Sequence, residues 1–96
     1  MLGDANNTFV SLLFHSDGQG LVGSIPSEIG HLTRVEGLIL TNEIGLAGTI
    51  PGTIGKLGAL RQLGLHHNML TGSIPAELYL ARNLRYINLE GNQLKG

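Results

Sequence analysis

The chain has 96 residues, a formal net charge of −1 with histidines neutral, and no cysteine. That length suits one small domain, and the balanced charge argues against a nucleic-acid partner, which calls for a basic stripe. The missing cysteines exclude a disulfide framework or a thiolate metal site within this chain, and no apolar run is long enough for a bilayer-spanning helix.

From the N-terminus, MLGDANNTF lacks the basic and apolar regions of a signal peptide. Asn6-Asn7-Thr8 is a glycosylation sequon, which matters only if the chain is secreted. The first unit then reads Phe9-x2-Leu12-x-Phe14, followed by six residues to Leu21 and the phrase LVGSIPSEI. The second reads Leu32-x2-Val35-x2-Leu38-x-Leu40, five residues, and LAGTIPGTI from Leu46. The third reads Leu57-x2-Leu60-x2-Leu63-x-Leu65-x2-Asn68 and LTGSIPAEL from Leu70. The fourth reads Ala81-x2-Leu84-x2-Ile87-x-Leu89-x2-Asn92-x-Leu94-x-Gly96. Leu21, Leu46 and Leu70 are 25 and then 24 residues apart, and all three prolines lie in these phrases.

Each unit holds a short alternating segment, such as Leu63-x-Leu65 or Ile87-x-Leu89, which predicts a strand with one buried face. Turn chemistry follows it. Asn68 and Asn92 sit where a side-chain amide can bond backbone that the turn leaves unpaired. Pro26, Pro51 and Pro75 fix φ as the chain bends across the far side. No unit can bury its leucines alone, so the units must stack as coils of a solenoid. The expected coils are about 6–31, 32–56, 57–80 and 81–96, in a single array. Neither end reads as a polar cap, so the chain is expected to be a piece of a longer array, weakly stable or self-associating by itself. Further coils or a covering partner are expected at its open C-terminal end.

Over residues 9–96 the pattern resembles the plant-type leucine-rich repeat, LxxLxxLxLxxNxLxGxIPxxLGx. The resemblance implies an α/β-type solenoid wound as a right-handed superhelix. Short parallel strands line its concave face, and turns and short 3-10 segments lie on its convex face. Departures are visible. Glu43 stands where the second unit's asparagine belongs, Asp17 is the nearest equivalent in the first unit, and Tyr79 replaces the glycine after IPxxL.

Leu38, Leu40, Leu63, Leu65, Ile87, Leu89, Leu46, Leu70 and Leu94 are expected in the core. The outward positions fall into rows: Gly37, Gln62, Tyr86; then Ile39, Gly64, Asn88; then His15, Thr41, His66, Glu90; then Ser16, Asn42, His67, Gly91. Glu36, Arg61 and Arg85 lead into the strands. Candidate ligand contacts are therefore Glu36, Arg61, Gln62, His66, Arg85, Tyr86, Asn88 and Glu90, with the arginines holding an acidic group and Tyr86 stacking. The plain alternative is a solvated sheet face on which Glu36 and Arg61 form a weak exposed ion pair. His66-His67 does not make a metal site, because strand neighbours point to opposite faces and the row-mate His15 is two coils away. No cofactor is expected. No activated nucleophile or phosphate loop is spelled out, so the chain is not expected to be an enzyme.

The resemblance implies a receptor-like ectodomain, or a secreted inhibitor like the polygalacturonase-inhibiting proteins, acting as a protein- or peptide-binding module with an extracellular or cell-surface location. The alternatives are the ectodomain piece of a receptor-like kinase, with catalysis encoded elsewhere, a purely structural spacer, and a cytoplasmic location.

Overall fold

The computed structural model describes residues 13–95. Eight short strands and three 3-10 segments alternate along the chain: β1 (Leu13–Asp17), β2 (Val22–Ser24), 3-10 (Ser27–His31), β3 (Gly37–Thr41), β4 (Gly45–Thr49), 3-10 (Gly52–Lys56), β5 (Gln62–Gly64), β6 (Met69–Ser73), 3-10 (Ala76–Leu80), β7 (Tyr86–Asn88) and β8 (Gln93–Lys95). Odd strands form one parallel sheet in the order β1-β3-β5-β7, and even strands form a second in the order β2-β4-β6-β8. This is the expected solenoid, with parallel strands on one face and 3-10 segments opposite. Each 3-10 segment begins after a proline with extended φ and ψ, at Pro26, Pro51 and Pro75.

The second sheet is an addition to the sequence reading. Its strands are the start of each LxGxIP phrase, which the pattern presents as a turn. Gly48 and Gly72 lie inside β4 and β6 with φ of +79° and +80°. A Cβ on Gly72 would stand 2.9 Å from Thr49 Cγ2. Only glycine combines that backbone with that closeness.

The core runs between the sheets and the 3-10 segments. Leu38, Leu63, Leu65, Leu70, Leu57, Leu60, Ile29, Ile54 and Val35 have no accessible surface. Burial falls at the last coil. Leu84, Leu89 and Leu94 are only partly buried against the core. Ile87, expected inside, is 49% exposed, because nothing among the described residues stacks on it.

Asparagines tie the coils together. Asn68 Nδ2 donates to Leu40 O at 2.7 Å and Leu65 O at 2.9 Å, and its Oδ1 accepts from Glu43 N at 2.8 Å. Asn92 repeats this one coil on, donating to Leu65 O and Leu89 O and accepting from Leu70 N. One buried amide thus satisfies backbone groups of two coils.

Glu43 breaks the ladder chemically and keeps it geometrically. A carboxylate has no N–H to donate. It instead accepts from Ser16 Oγ at 2.7 Å and from the backbone N–H groups of Gln19, Gly20 and Leu21 at 2.9–3.0 Å. Glu43 is 1% exposed and Ser16 is 7% exposed. Ser16 pairs in register with Leu40, so the first coil has a hydroxyl where the others carry leucine. The Ser16–Glu43 pair replaces the leucine–asparagine pair of the later coils.

This register corrects two expectations for the first coil. His15 pairs with Ile39 and Asp17 with Thr41, two positions from the alignment by spacing. His15 therefore belongs to the row of Ile39, Gly64 and Asn88, and Ser16 leaves the row of Asn42. Asp17 joins Thr41, His66 and Glu90 and is not the ladder residue. The first unit's irregular spacing conceals the shift.

Candidate functional site

The odd-strand sheet presents the candidate residues in rows set by its register. Gly37, Gln62 and Tyr86 face one another across β3, β5 and β7, as do Ile39, Gly64 and Asn88. Gln62 and Tyr86 are exposed and Asn88 is half-buried. Asn88 is held in place: its Nδ2 donates to Tyr86 Oη at 3.3 Å and its Oδ1 accepts from Glu90 N at 3.1 Å. Gly64 is covered by its neighbours, since a Cβ there would stand 3.2 Å from Ile39 Cδ1 and 3.6 Å from His66 Cε1.

The third row joins Asp17, Thr41, His66 and Glu90. Asp17 Oδ1 accepts from Asn42 Nδ2 at 2.8 Å and from Thr41 Oγ1 at 3.0 Å. These bonds, Asn42 first, hold its carboxyl below the ordinary value of 3.8, with smaller help from the charges of His15 and His66. His66 Nδ1 is buried and has no hydrogen-bond partner. Its ring meets that of His67 edge to face, with centroids 5.4 Å apart. Among the described residues, no group of three or more His, Asp or Glu is placed to hold a metal ion.

At the entry to the strands, Glu36, Arg61 and Arg85 stack in successive coils. Arg61 N and Gln62 N both donate to Glu36 O, and Arg85 N and Tyr86 N both donate to Arg61 O, at 2.7–3.1 Å. Glu36, Arg61 and Arg85, with Ala59 and Asn83, line a groove of about 300 Å³. Asn83 was not among the sequence candidates. Its Nδ2 donates to Gly58 O at 2.7 Å, bridging two coils at the groove. The signal was present, because Arg34, Ala59 and Asn83 hold one position of the repeat. The eight candidates thus fall into two neighbouring sites: Gln62, His66, Tyr86, Asn88 and Glu90 on the sheet, and Glu36, Arg61 and Arg85 at its edge.

A Leucine Rich Repeat profile matches residues 59–80. No curated sequence relative matches the chain. Among solved structures, the chain is 35% identical to the plant peptide hormone receptor RGFR1 in complex with RGF2, over 78% of this chain and 12% of that one, with a TM-score of 0.75. It is 31% identical to the leucine-rich repeat ectodomain of the receptor kinase SOBIR1 from Arabidopsis thaliana, over 81% of this chain and 42% of that one, with a TM-score of 0.76. It is also 34% identical to a plant ice-binding protein, over 85% of this chain and 26% of that one, with a TM-score of 0.79. The chain therefore spans well under half the length of each of these proteins. The repeat, the two parallel sheets and these likenesses place the chain among leucine-rich repeat proteins. Within that class it is similar to the ectodomains of plant receptor kinases.

Proposed function

We propose that the chain is a non-catalytic binding module that takes a peptide or an extended protein segment on the odd-strand sheet, as part of a cell-surface or extracellular receptor arm. The observation that carries this reading is the open hydrogen-bonding capacity of that face. Gln62, Tyr86 and Glu90 are exposed on its rows, and His66 and Asn88 are half-buried. An extended peptide backbone offers donors and acceptors that such side chains can bond. Asn88 and Tyr86 are already oriented by each other, which lowers the ordering cost of binding. Arg61 and Arg85 at the sheet edge receive an acidic group of the ligand. The similarity to a peptide hormone receptor supports the same ligand class. Because one of the similar folds is an ice-binding protein, fold alone does not carry the reading, and the site does.

The test is selection from a displayed random-peptide library on the immobilised chain, with His66→Ala/Asn88→Ala and Arg61→Glu/Arg85→Glu chains as counter-targets. A peptide family retained by the parent chain and lost on the first counter-target is the expected outcome. Loss on the second places an acidic group at the sheet edge. A library that never enriches, or peptides indifferent to both variants, would overturn the assignment.

A further inference from the structure

The three 3-10 segments stack on one another across the convex side, and both junctions are made at a glycine. The fourth residue of the first segment is Gly30 and that of the second is Gly55, and both are buried. Backbone of the next coil covers them. A Cβ on Gly30 would stand 2.9 Å from Thr53 O and 2.9 Å from Thr53 Cβ. A Cβ on Gly55 would run into Glu77 O, with Glu77 Cβ 3.0 Å away. Thr53 and Glu77 are each the second residue of their segment. The rule is the same at both junctions: a carbonyl at the second position of one segment rests on the fourth position of the segment before it. Neither glycine has a positive φ, so close approach alone reserves the position. The third segment departs from this rule. Its fourth residue is Tyr79, which is 91% exposed, and none of the segment's residues is buried.

We propose that Tyr79 is a stop in the stacking of the 3-10 segments, and that the end face of the fourth coil fits a coil of one kind only. That partner adds strands to β7 and β8 but carries its convex connection away from Ala76–Leu80. The edges of β7 and β8 obey the same pairing as the earlier strands and remain open to a further strand each. The convex side does not. A regular coil would seat a backbone carbonyl where Tyr79 carries its side chain. The conflict begins at Cβ, as the Gly30 and Gly55 junctions show, so no rotamer of the ring relieves it. Backbone at such a junction cannot swing aside as the end of a long side chain can. Strand pairing holds the concave side at roughly 4.8 Å per coil. A coil added here is therefore held off on its convex side alone, which tilts it and tightens the curvature of the solenoid at that junction. Curvature shapes the concave surface of such arrays, so Tyr79 sets the path of that surface beyond the fourth coil. This inference is independent of the peptide site on the odd-strand sheet.

Amide hydrogen exchange tests the rule in the chain as it stands. Leu78 N and Ala81 N donate to Pro75 O and Leu78 O and so report on the third segment. Gly55→Ala should speed exchange at both amides by about tenfold or more. Gly58→Ala, where a Cβ meets nothing within 4 Å, should leave them unchanged. The stop itself is tested by fusing a second copy of residues 73–96 after Gly96, which supplies a fifth coil with its own 3-10 segment. Strand amides of the added coil should be protected with Tyr79 in place, while the amides of its 3-10 segment exchange freely. Tyr79→Gly should protect that segment and raise the urea midpoint of the extended chain, and should not raise the midpoint of the 96-residue chain. Tyr79→Ala should protect nothing, because its Cβ already meets the carbonyl. Equal protection of the added segment with Tyr79, rescue by alanine as well as glycine, no rescue by glycine, or unchanged exchange in Gly55→Ala would each overturn the proposal.

Discussion

Two residues carry much of the first coil's attachment, and both do so as charged carboxylates. Glu43 is held below its ordinary value of 4.5, first by the Gln19 N–H and then by Ser16, Leu21 and Gly20, against the opposing effect of burial. Asp17 is held down by Asn42 and Thr41. Each native carboxyl binds its proton more weakly than its unfolded counterpart. The stability they contribute is therefore fully present above the ordinary values of 3.8 and 4.5 and is lost as pH falls through the lowered native values. Urea midpoints measured from pH 7 downward should decline below about pH 5, and Glu43→Gln should flatten part of that decline. Glu43→Gln should also lower the midpoint at neutral pH, because an amide places an N–H donor where Ser16 and three backbone N–H groups point. Asn68→Ala removes three hydrogen bonds at a buried site and should cost about 2–4 kcal/mol in urea unfolding. That the asparagines would form a ladder was readable from their spacing. That Glu43 could substitute for one was not. Its partners Gln19, Gly20 and Leu21 belong to the preceding coil, and only stacking brings their N–H groups together.

At the scale of the element, the alternating leucines specify the odd strands and the IP phrases specify the 3-10 segments. Each of these is a local rule: period-two burial in one case, fixed φ after an extended residue in the other. The even strands obey no local rule visible in one unit. β4, β6 and β8 hold one leucine apiece and β2 none, and the glycines of β2, β4 and β6 favour a turn. Their pairing comes from neighbouring coils, with Gly48 opposite Leu70 and Gly72 opposite Leu94. Gly72→Ala should therefore destabilise the chain by about 1–3 kcal/mol, since it combines a left-handed backbone with a close approach to Thr49. Thermal melts of this variant beside Gly58→Ala, where a Cβ meets nothing within 4 Å, would separate strain from general glycine loss.

For the whole molecule, each coil touches only its neighbours, so stability is a sum of coil and interface contributions. Leu63→Ala strikes the coil with neighbours on both sides and should cost about 2–5 kcal/mol. The last coil exposes Ile87 at 49% and, on the preceding 3-10 segment, Leu80 at 65% and Tyr79 at 91%, beside the unpaired edges of β7 and β8. Exposed apolar side chains beside open strand edges promote association. Sedimentation should show concentration-dependent association, and Leu80→Lys/Ile87→Lys should raise the monomer fraction. A monomer across the accessible concentration range would contradict this.

The amino-acid order alone settled the repeat, its period, the identity of the buried leucines and the two families of local structure, because each follows from contacts or backbone limits within about 25 residues. It also placed Gln62 beside Tyr86 and Arg61 beside Arg85, since regular units transfer their register by counting. Tertiary structure decided what counting could not reach. It set the two-position shift of the first coil, the burial of a serine and a glutamate in place of a leucine and an asparagine, and the closing of a second sheet. The physical reason is the same in each case: these features are interactions between coils. Their free energy depends on which groups stacking brings within hydrogen-bond or Coulomb range, and no single unit contains that information.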